Sequence, residues 1–392
     1  MLSTLTSALL LLLKLFSLYF FAIALFALKR RKPVPVSAPA TRFACLIAAR
    51  NEEAVIASLV NSLRQQSYPP ELCDIYVIPN NCTDRTEAAA RDAGARIFRC
   101  LRPVRCKGDT LREAVERLLP LNYDAFCVFD ADNLVHPEFL ARMNDALLAG
   151  AQVCKGAMRV KNPKDGPLAG CYGLYFTLFD LFYSRARMNC GLSAKLVGTG
   201  FAVRREVLER LGGWRTETIA EDAEFAALCA RHGIRIHYVP EAVTWDEAPV
   251  RLTDSLRQRR RWCSGLMDVA DSLRPPLCRA VRGRGGILAL DSLLMLHTPY
   301  VQVCSALLTL FSLFTLPGAA ARALLALPLL YILCVFASGV LACAGRYHGR
   351  AAVSAALAFP LFMASWLPLQ MVSVLLRTQV WHPIRHGSSI SA

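Results

Sequence analysis

Residues 125–133 read Ala125-Phe126-Cys127-Val128-Phe129-Asp130-Ala131-Asp132-Asn133. An apolar run ending in two carboxylates one residue apart has the pattern of a buried β-strand whose carboxyl end opens into a polar loop. Hard divalent cations bind few protein carboxylates and complete their shell with phosphate oxygens. Asp130 and Asp132 are therefore candidate holders of Mg2+ or Mn2+ carrying a diphosphate. By itself the pattern is unspecific, because a solvated loop end explains it too.

The neighbouring sequence supplies a context. Phe43–Ala49 is a second apolar run, and it ends in Arg50-Asn51-Glu52-Glu53. A third, Asp74–Asn80, is followed by Asn81-Cys82-Thr83-Asp84, where Thr83 or Asp84 is placed to cap the next helix. Strand patterns at Phe43–Ala49, Asp74–Asn80, Ala95–Arg99, Ala125–Asp130 and Val153–Val160 alternate with helical patterns at Glu53–Gln66, Asp84–Ala93, Asp109–Leu118 and Pro137–Leu148. The alternation predicts an α/β domain with a mostly parallel sheet and ligands at the carboxyl ends of its strands. Three polar strand tips then converge on one edge. Capping accounts for Asp84 as well as ligand binding does, whereas Glu52 has no structural duty visible in the sequence.

Composition places this domain beside a membrane. The 392 residues are 54% hydrophobic and only 19% charged, with mean hydropathy +0.35. Disorder, collagen and a disulfide-stapled miniature are excluded, and the apolar residues cluster at both ends instead of filling one core. Leu5 to Leu28 is long enough to cross a bilayer, interrupted by Lys14 and followed by Lys29-Arg30-Arg31-Lys32. The positive-inside rule puts that basic run and the domain after it in the cytoplasm. The expected organisation is an apolar helix and basic flank over 1–32, a proline spacer over 33–41 and a globular domain over 42–250. An interfacial segment over 251–286, apolar blocks over 287–376 and a tail over 377–392 complete it. The blocks near 287–316, 323–344 and 351–376 suggest three spans, although Pro299 divides the first and Pro360 and Pro368 interrupt the last. The 15 cysteines show no C-x-x-C pair and read as buried thiols in a reducing compartment. A net charge of +15 needs no nucleic acid, because much of it lies at Lys29–Lys32 and Arg251–Arg284, where anionic headgroups and a phosphate-bearing ligand would meet it.

Further motifs follow the strands. Glu221-Asp222 opens the helical pattern Asp222–His232; acidic residues suit a helix's first turn, and either is placed to act as a general base on an acceptor hydroxyl. Gln258-Arg259-Arg260-Arg261-Trp262 leads toward the membrane. An Arg fork matches a pyrophosphate and an indole stacks on a sugar; an interfacial basic helix with Trp at headgroup depth is the plainer reading. Lys107 before Gly108 suits a phosphate or a turn, and Gly198-Thr199-Gly200 suits a close backbone approach or a bend. The helix Leu168–Asn189 carries Tyr172, Tyr175, Phe176, Phe179, Phe182 and Tyr183 on one face, for which core or membrane-surface packing is expected over a sugar platform. His232 and His237 show no zinc spacing.

Taken in order, Ala-Arg-Asn-Glu, Asn-Cys-Thr-Asp, Lys107-Gly108, Asp-Ala-Asp, Gly198-Thr199-Gly200, Glu-Asp and Gln-Arg-Arg-Arg-Trp resemble the membrane-embedded family 2 glycosyltransferases. These include cellulose, chitin and hyaluronan synthases and ceramide glucosyltransferase, and the resemblance runs from about Phe43 to Trp262. It implies a GT-A fold, a nucleotide-sugar donor that is usually UDP-linked, a divalent metal and inversion at the anomeric carbon. By position, Asp132 would ligate the metal with Asp130 assisting there or at the ribose. Glu52 and Asn80 would face the nucleoside, with Asp84 and Lys107 also on the donor side. Asp222 would be the base with Glu221 beside it, and Gln258, Arg261 and Trp262 would hold the diphosphate and the acceptor sugar. Asn80 stands where the family usually has Asp, which leaves the base less defined. The resemblance leans toward polysaccharide synthesis in a multi-pass membrane protein; a non-processive glycolipid-forming enzyme and a silent nucleotide-binding subunit are the alternatives.

Overall fold

The computed structural model describes residues 2–30, 33–315, 333–340 and 350–378, and its architecture is built around β1 (Phe43–Ala49). Phe43, Cys45 and Ile47 enter one apolar cluster with α2 (Ile56–Arg64) and α5 (Phe139–Leu148), while Ala44 and Leu46 enter another with α4 (Lys107–Leu118). A strand covered on both faces needs apolar residues at every position, which explains the unbroken run. β1 pairs in parallel with β2 (Cys73–Pro79) and β4 (Ala125–Asp130), Phe43 standing opposite Cys73 on one side and Ala125 on the other. Their polar tips therefore leave the sheet at one edge.

With β3 (Arg96–Ile97), β5 (Leu134–Val135), β6 (Val153–Val160), β7 (Phe201–Arg204) and β8 (Ile236–Asp246), the sheet runs β3-β2-β1-β4-β7-β6-β8-β5. The expected parallel arrangement holds for the β3-β2-β1-β4 half and for β6 with β8. The sheet as a whole is mixed, because β7 runs antiparallel to both β4 and β6, and β5 antiparallel to β8. β6 and β8 slip register between Gly156 and Ala157, and a Cβ on Gly156 would lie 2.3 Å from the Ala242 carbonyl oxygen. Gly156→Ala is expected to destabilise the chain by about 2 kcal/mol through overpacking. Thermal unfolding in detergent checks this, and an unchanged Tm would show that β8 can move aside.

The sheet rests against helices with outward apolar faces. In α1 (Leu2–Leu25), Leu11, Leu12, Leu15, Leu18 and Phe21 are exposed. Leu11–Leu28 and Ala351–Leu375 are each long and apolar enough to cross a membrane, the latter comprising α13 (Arg350–Ala364) and α14 (Trp366–Leu375). α11 (Gly286–Leu296) and α12 (Thr298–Thr315) meet that test only as a pair bent by 49°, beside Pro299, which lacks the N–H a continuous helix would use there. Of the block over 323–344, only residues 333–340, which are helical, are described; in the tail, the described residues end at 378. Among the described residues the cysteines are free thiols.

Two buried polar contacts, each centred on an arginine, fasten these helices to the domain. Asp291 of α11 accepts hydrogen bonds from the Tyr19 hydroxyl of α1 (2.9 Å) and from Arg187 Nε of α7 (Ala186–Asn189; 3.2 Å). Arg259, in the 30-residue helix α10 (Leu252–Val281), donates to the Phe362 carbonyl (3.2 Å) and the Ser365 hydroxyl (2.7 Å) and lies 4.4 Å from the Phe362 ring centroid. α10 is thereby fixed across the carboxyl edge of the sheet.

Candidate active site

A cavity of about 1360 Å3 lies at that edge. Glu52 and Asn80 reach it from the ends of β1 and β2, Lys107 from the start of α4, and Asp130 and Asp132 from the end of β4. The first turn of α9 (Glu221–Arg231) adds Glu221 and Asp222. α10 adds Gln258, Arg261 and Trp262, which share one helix face because they are three and four residues apart. Arg259 and Arg260 are not among the lining residues, so the five-residue motif divides: Arg259 anchors α10, and Arg260 donates to the Leu376 carbonyl at 3.2 Å.

Lys107 is the electrostatic centre. Its ammonium lies 2.5 Å from Asp130 Oδ1 and from the Gly198 carbonyl, and 3.5 Å from Glu221 Oε1. Burial disfavours the ammonium, but Asp130 and Glu221 outweigh it and hold the group well above the ordinary lysine value. Glu221 is pushed up to about 7 by burial, with Lys107 opposing and Asp222 and Asp130 adding to the rise. A Cβ at Gly198 would lie 3.3 Å from Asp130 Oδ2, 3.7 Å from Lys107 Nζ and 3.9 Å from Asp222 Oδ2. The glycine lets backbone enter the space where these three groups converge. Asn133 and Thr199 hold the acidic loop from below, each accepting a hydrogen bond from the Asp130 N–H at 3.1 Å.

Much of the polar sequence at the first two strand tips serves to lock the loops together. Asn51 and Asn81 adopt left-handed backbone, φ 59° and 48°, a conformation Asn tolerates better than most residues. Asn51 Oδ1 accepts the Thr83 N–H (2.8 Å), Glu53 Oε2 the Arg85 N–H (2.8 Å), Asp84 Oδ2 the Glu53 N–H (3.1 Å), and Thr86 Oγ1 the Glu52 N–H (2.8 Å). Asp84 belongs to this clasp and does not line the cavity. Although partial burial opposes it, hydrogen bonds from Thr86 hold its carboxyl below the ordinary aspartate value. Asn80 lines the cavity with its amide donating to the Ala49 carbonyl at 3.1 Å.

The aromatic face expected to pack in a core is also a cavity wall. Tyr175, Phe176 and Phe179 of α6 (Pro167–Phe179) and Tyr183 of the π-helical turn Asp180–Arg185 line it. Trp262 stacks on Trp366 (6.2 Å, 17°), which stacks on Tyr175 (5.6 Å, 23°). Trp366 and Lys195 are lining residues that local pattern did not reveal; each is a single residue in an apolar or irregular stretch. Beyond them the cavity continues between α1, α12 and α14, past Phe16, Phe20, Gln302 and Gln370.

Among the described residues no group of three or more His, Cys, Asp or Glu could hold a metal alone. The donor set fits Mg2+ or Mn2+ nonetheless, since such ions take one or two carboxylates and leave the remaining positions to water and phosphate.

Residues 39–265, more than half of the chain, match the family described as glycosyltransferase like family 2. A probable glycosyltransferase of Bacillus subtilis is 31% identical over 230 residues, covering 56% of this chain and 54% of that protein. A beta-monoglucosyldiacylglycerol synthase of Synechocystis is 27% identical over 263 residues (62% and 54%), and a cellulose synthase catalytic subunit of Komagataeibacter sucrofermentans is 25% identical over 233 residues (55% and 29%). The chain thus spans about half the length, or less, of these curated relatives. A mannosyltransferase from Pyrobaculum calidifontis, solved with GDP-Man and Mn2+, shares the fold with TM-score 0.63 at 20% identity, over 95% of this chain and 97% of that one. The fold is GT-A, and the chain belongs to the family 2 glycosyltransferases.

Proposed function

We propose that the chain is an inverting, metal-dependent glycosyltransferase that moves a sugar from a nucleoside diphosphate to a lipid-borne acceptor. The carrying observation is that one cavity joins the carboxylates at the sheet edge to the flanking apolar helices. Asp222 removes the proton of the acceptor hydroxyl, whose oxygen forms the bond to the anomeric carbon as the bond to the diphosphate breaks on the opposite face. No covalent intermediate is needed, and a single displacement inverts the centre. Arg261, which among the described residues forms no ion pair with a carboxylate, receives the diphosphate with Gln258, and Trp262 stacks on the sugar being transferred. Glu52 and Asn80 face the nucleoside, where the Asn80 amide suits uracil. Asp132, with Asp130 beside it, would hold Mg2+ or Mn2+, which when bound stabilises charge on the leaving diphosphate.

The membrane-side wall favours a lipid over a growing polymer. Its polar side chains are largely satisfied within the protein: the Ser17 and Thr309 hydroxyls donate to carbonyls of their own helices, Thr298 donates to the Leu294 carbonyl of α11, and Gln370 donates to Gln302 at 2.6 Å. Few donors remain for a glycan's many hydroxyls, whereas acyl chains need none. The sequence leaned the other way, toward polysaccharide. By the positive-inside rule, the basic flank after α1 supports a cytoplasmic domain in a multi-pass protein.

The test is to purify the full chain in detergent, offer UDP- and GDP-sugars with Mn2+ or Mg2+ and membrane lipid extract, and follow nucleoside diphosphate release with product mass. A lipid carrying one sugar is expected. A ladder of sugars would overturn the lipid reading, and no product with any donor would favour a silent subunit. Chelation is expected to lower release at least about tenfold, with Mn2+ restoring it.

A further inference from the structure

We propose that the acceptor lipid bears a phosphate and that Lys195 is the residue that receives it. This deepens the lipid-acceptor reading and rests on it. Lys195 lies in the loop over 190–200, between α7 and β7, and lines the cavity on the side of the α6 aromatic wall. Its ammonium stands 4.7 Å from the Phe179 ring centroid and 5.8 Å from that of Tyr183, two rings stacked at 5.2 Å and 15°.

Of the other cations bordering the cavity, Arg50 follows the end of β1, and the rest divide by their partners. Lys107 faces Asp130 and Glu221, Arg105 faces Asp109 at 3.1 Å, and Arg257 faces Asp254 at 3.7 Å. Among the described residues no carboxylate lies within ion-pair distance of Lys195 or Arg261. Arg261 is on α10 and is accounted for by the donor's diphosphate. Lys195 is on the loop over 190–200, against rings that supply only part of a counter-charge. Burial pushes Lys195 down to about 8, with Asp222 working against the fall. An ammonium held in an apolar wall at such a cost is best neutralised by an anion brought in by the ligand. The donor's charge is taken up elsewhere, so the anion belongs to the acceptor. The aromatic wall continuing to Phe16 and Phe20 of α1 supplies the surface for its acyl chains.

Equilibrium binding of fluorescent short-chain phosphatidic acid and of diacylglycerol with the same chains, measured on the full chain in neutral detergent with EDTA and no donor, tests this directly. The wild-type chain is expected to bind the phosphate lipid at least about tenfold more tightly. Lys195→Met should abolish that preference and Lys195→Arg should retain most of it. Equal binding of the two lipids by the wild-type chain, or a preference that survives in Lys195→Met, overturns the proposal. Competition by free glycerol 3-phosphate as effective as that of the lipid would assign the site to a soluble anion and overturn its lipid half. Binding is read without turnover, so a failure of sugar transfer would sink the proposed function and leave the phosphate preference standing, while the reverse result would sink the phosphate proposal and leave the proposed function standing.

Discussion

Asp222→Asn is expected to lower kcat for sugar transfer by about 1000-fold, within the range that loss of a positioned general base produces, with little change in Tm. The small effect on folding follows from the local geometry. Asp222 Oδ1 accepts the Ala223 N–H at 2.7 Å, and the amide oxygen of Asn can accept the same bond in the first turn of α9. What Asn lacks is the capacity to take the acceptor's proton. The adjacent Glu221 provides the internal control. Its side chain is 11% exposed and faces Lys107, so its duty is charge balance, and Glu221→Gln should lower kcat far less than Asp222→Asn. Rates at saturating donor for the two variants, alongside thermal unfolding, decide between them. If Glu221→Gln were the more damaging change, or Asp222→Asn kept more than about a tenth of the wild-type rate, the base would have to be sought elsewhere.

The half of the fold that sequence disclosed is the half in which one physical signal dominates. β1 and β4 are buried on both faces, so their apolar runs coincide with the observed strands; the Val153–Val160 pattern coincides with β6 although Lys155 and Arg159 interrupt it, and α2, α4 and α5 show their core-facing stripes. β7 has only four residues, too few to show a period. β8 has 11 residues, but Pro240 and Glu241 interrupt them near the register slip opposite Gly156 and Ala157. Its pattern resembles a loop, since proline inside a strand argues against one. Without those strands the antiparallel half was not foreseeable, although it is what carries Gly198 and Thr199 to Asp130.

The site divides in the same way. Asp130, Asp132, Asp222 and the Gln258-Arg261-Trp262 face lie in short motifs whose spacing has a chemical meaning, and they line one cavity. Asp84 carried an equal claim in sequence because a loop clasp and a ligand site use the same polar residues; only the partners distinguish them. Lys195, Trp366 and the membrane-side wall come from segments far apart in the chain. Their meaning arises from tertiary proximity, which a local pattern does not encode.

Lys107→Met is expected to be the most damaging single change to the site's electrostatic balance, lowering kcat by about 100-fold and destabilising the fold by about 3 kcal/mol. One ammonium answers Asp130 at 2.5 Å and Glu221 at 3.5 Å, with side-chain exposures of 38% and 11% respectively. Water can screen much of Asp130 once Lys107 is gone, so the stability loss falls mainly on Glu221. That carboxyl already stands near 7 instead of its ordinary 4.5, through burial, against the pull of Lys107 and with the repulsion of Asp222 and Asp130. A carboxyl whose value is raised by folding keeps a proton the unfolded chain has released. It therefore penalises folding increasingly as pH rises from about 4.5 to about 7, fully above that window and not at all below it. Without Lys107 the folded value climbs further and the window extends upward. The deficit of Lys107→Met should accordingly grow toward about pH 8.5 and shrink below about pH 6, and adding Glu221→Gln should remove most of it while transfer stays impaired, because Asp130 has still lost its cation. Thermal unfolding across that pH range for the single and double variants provides the measurement. A deficit independent of pH and untouched by Glu221→Gln would mean that Lys107 serves the Gly198 backbone rather than the carboxylates.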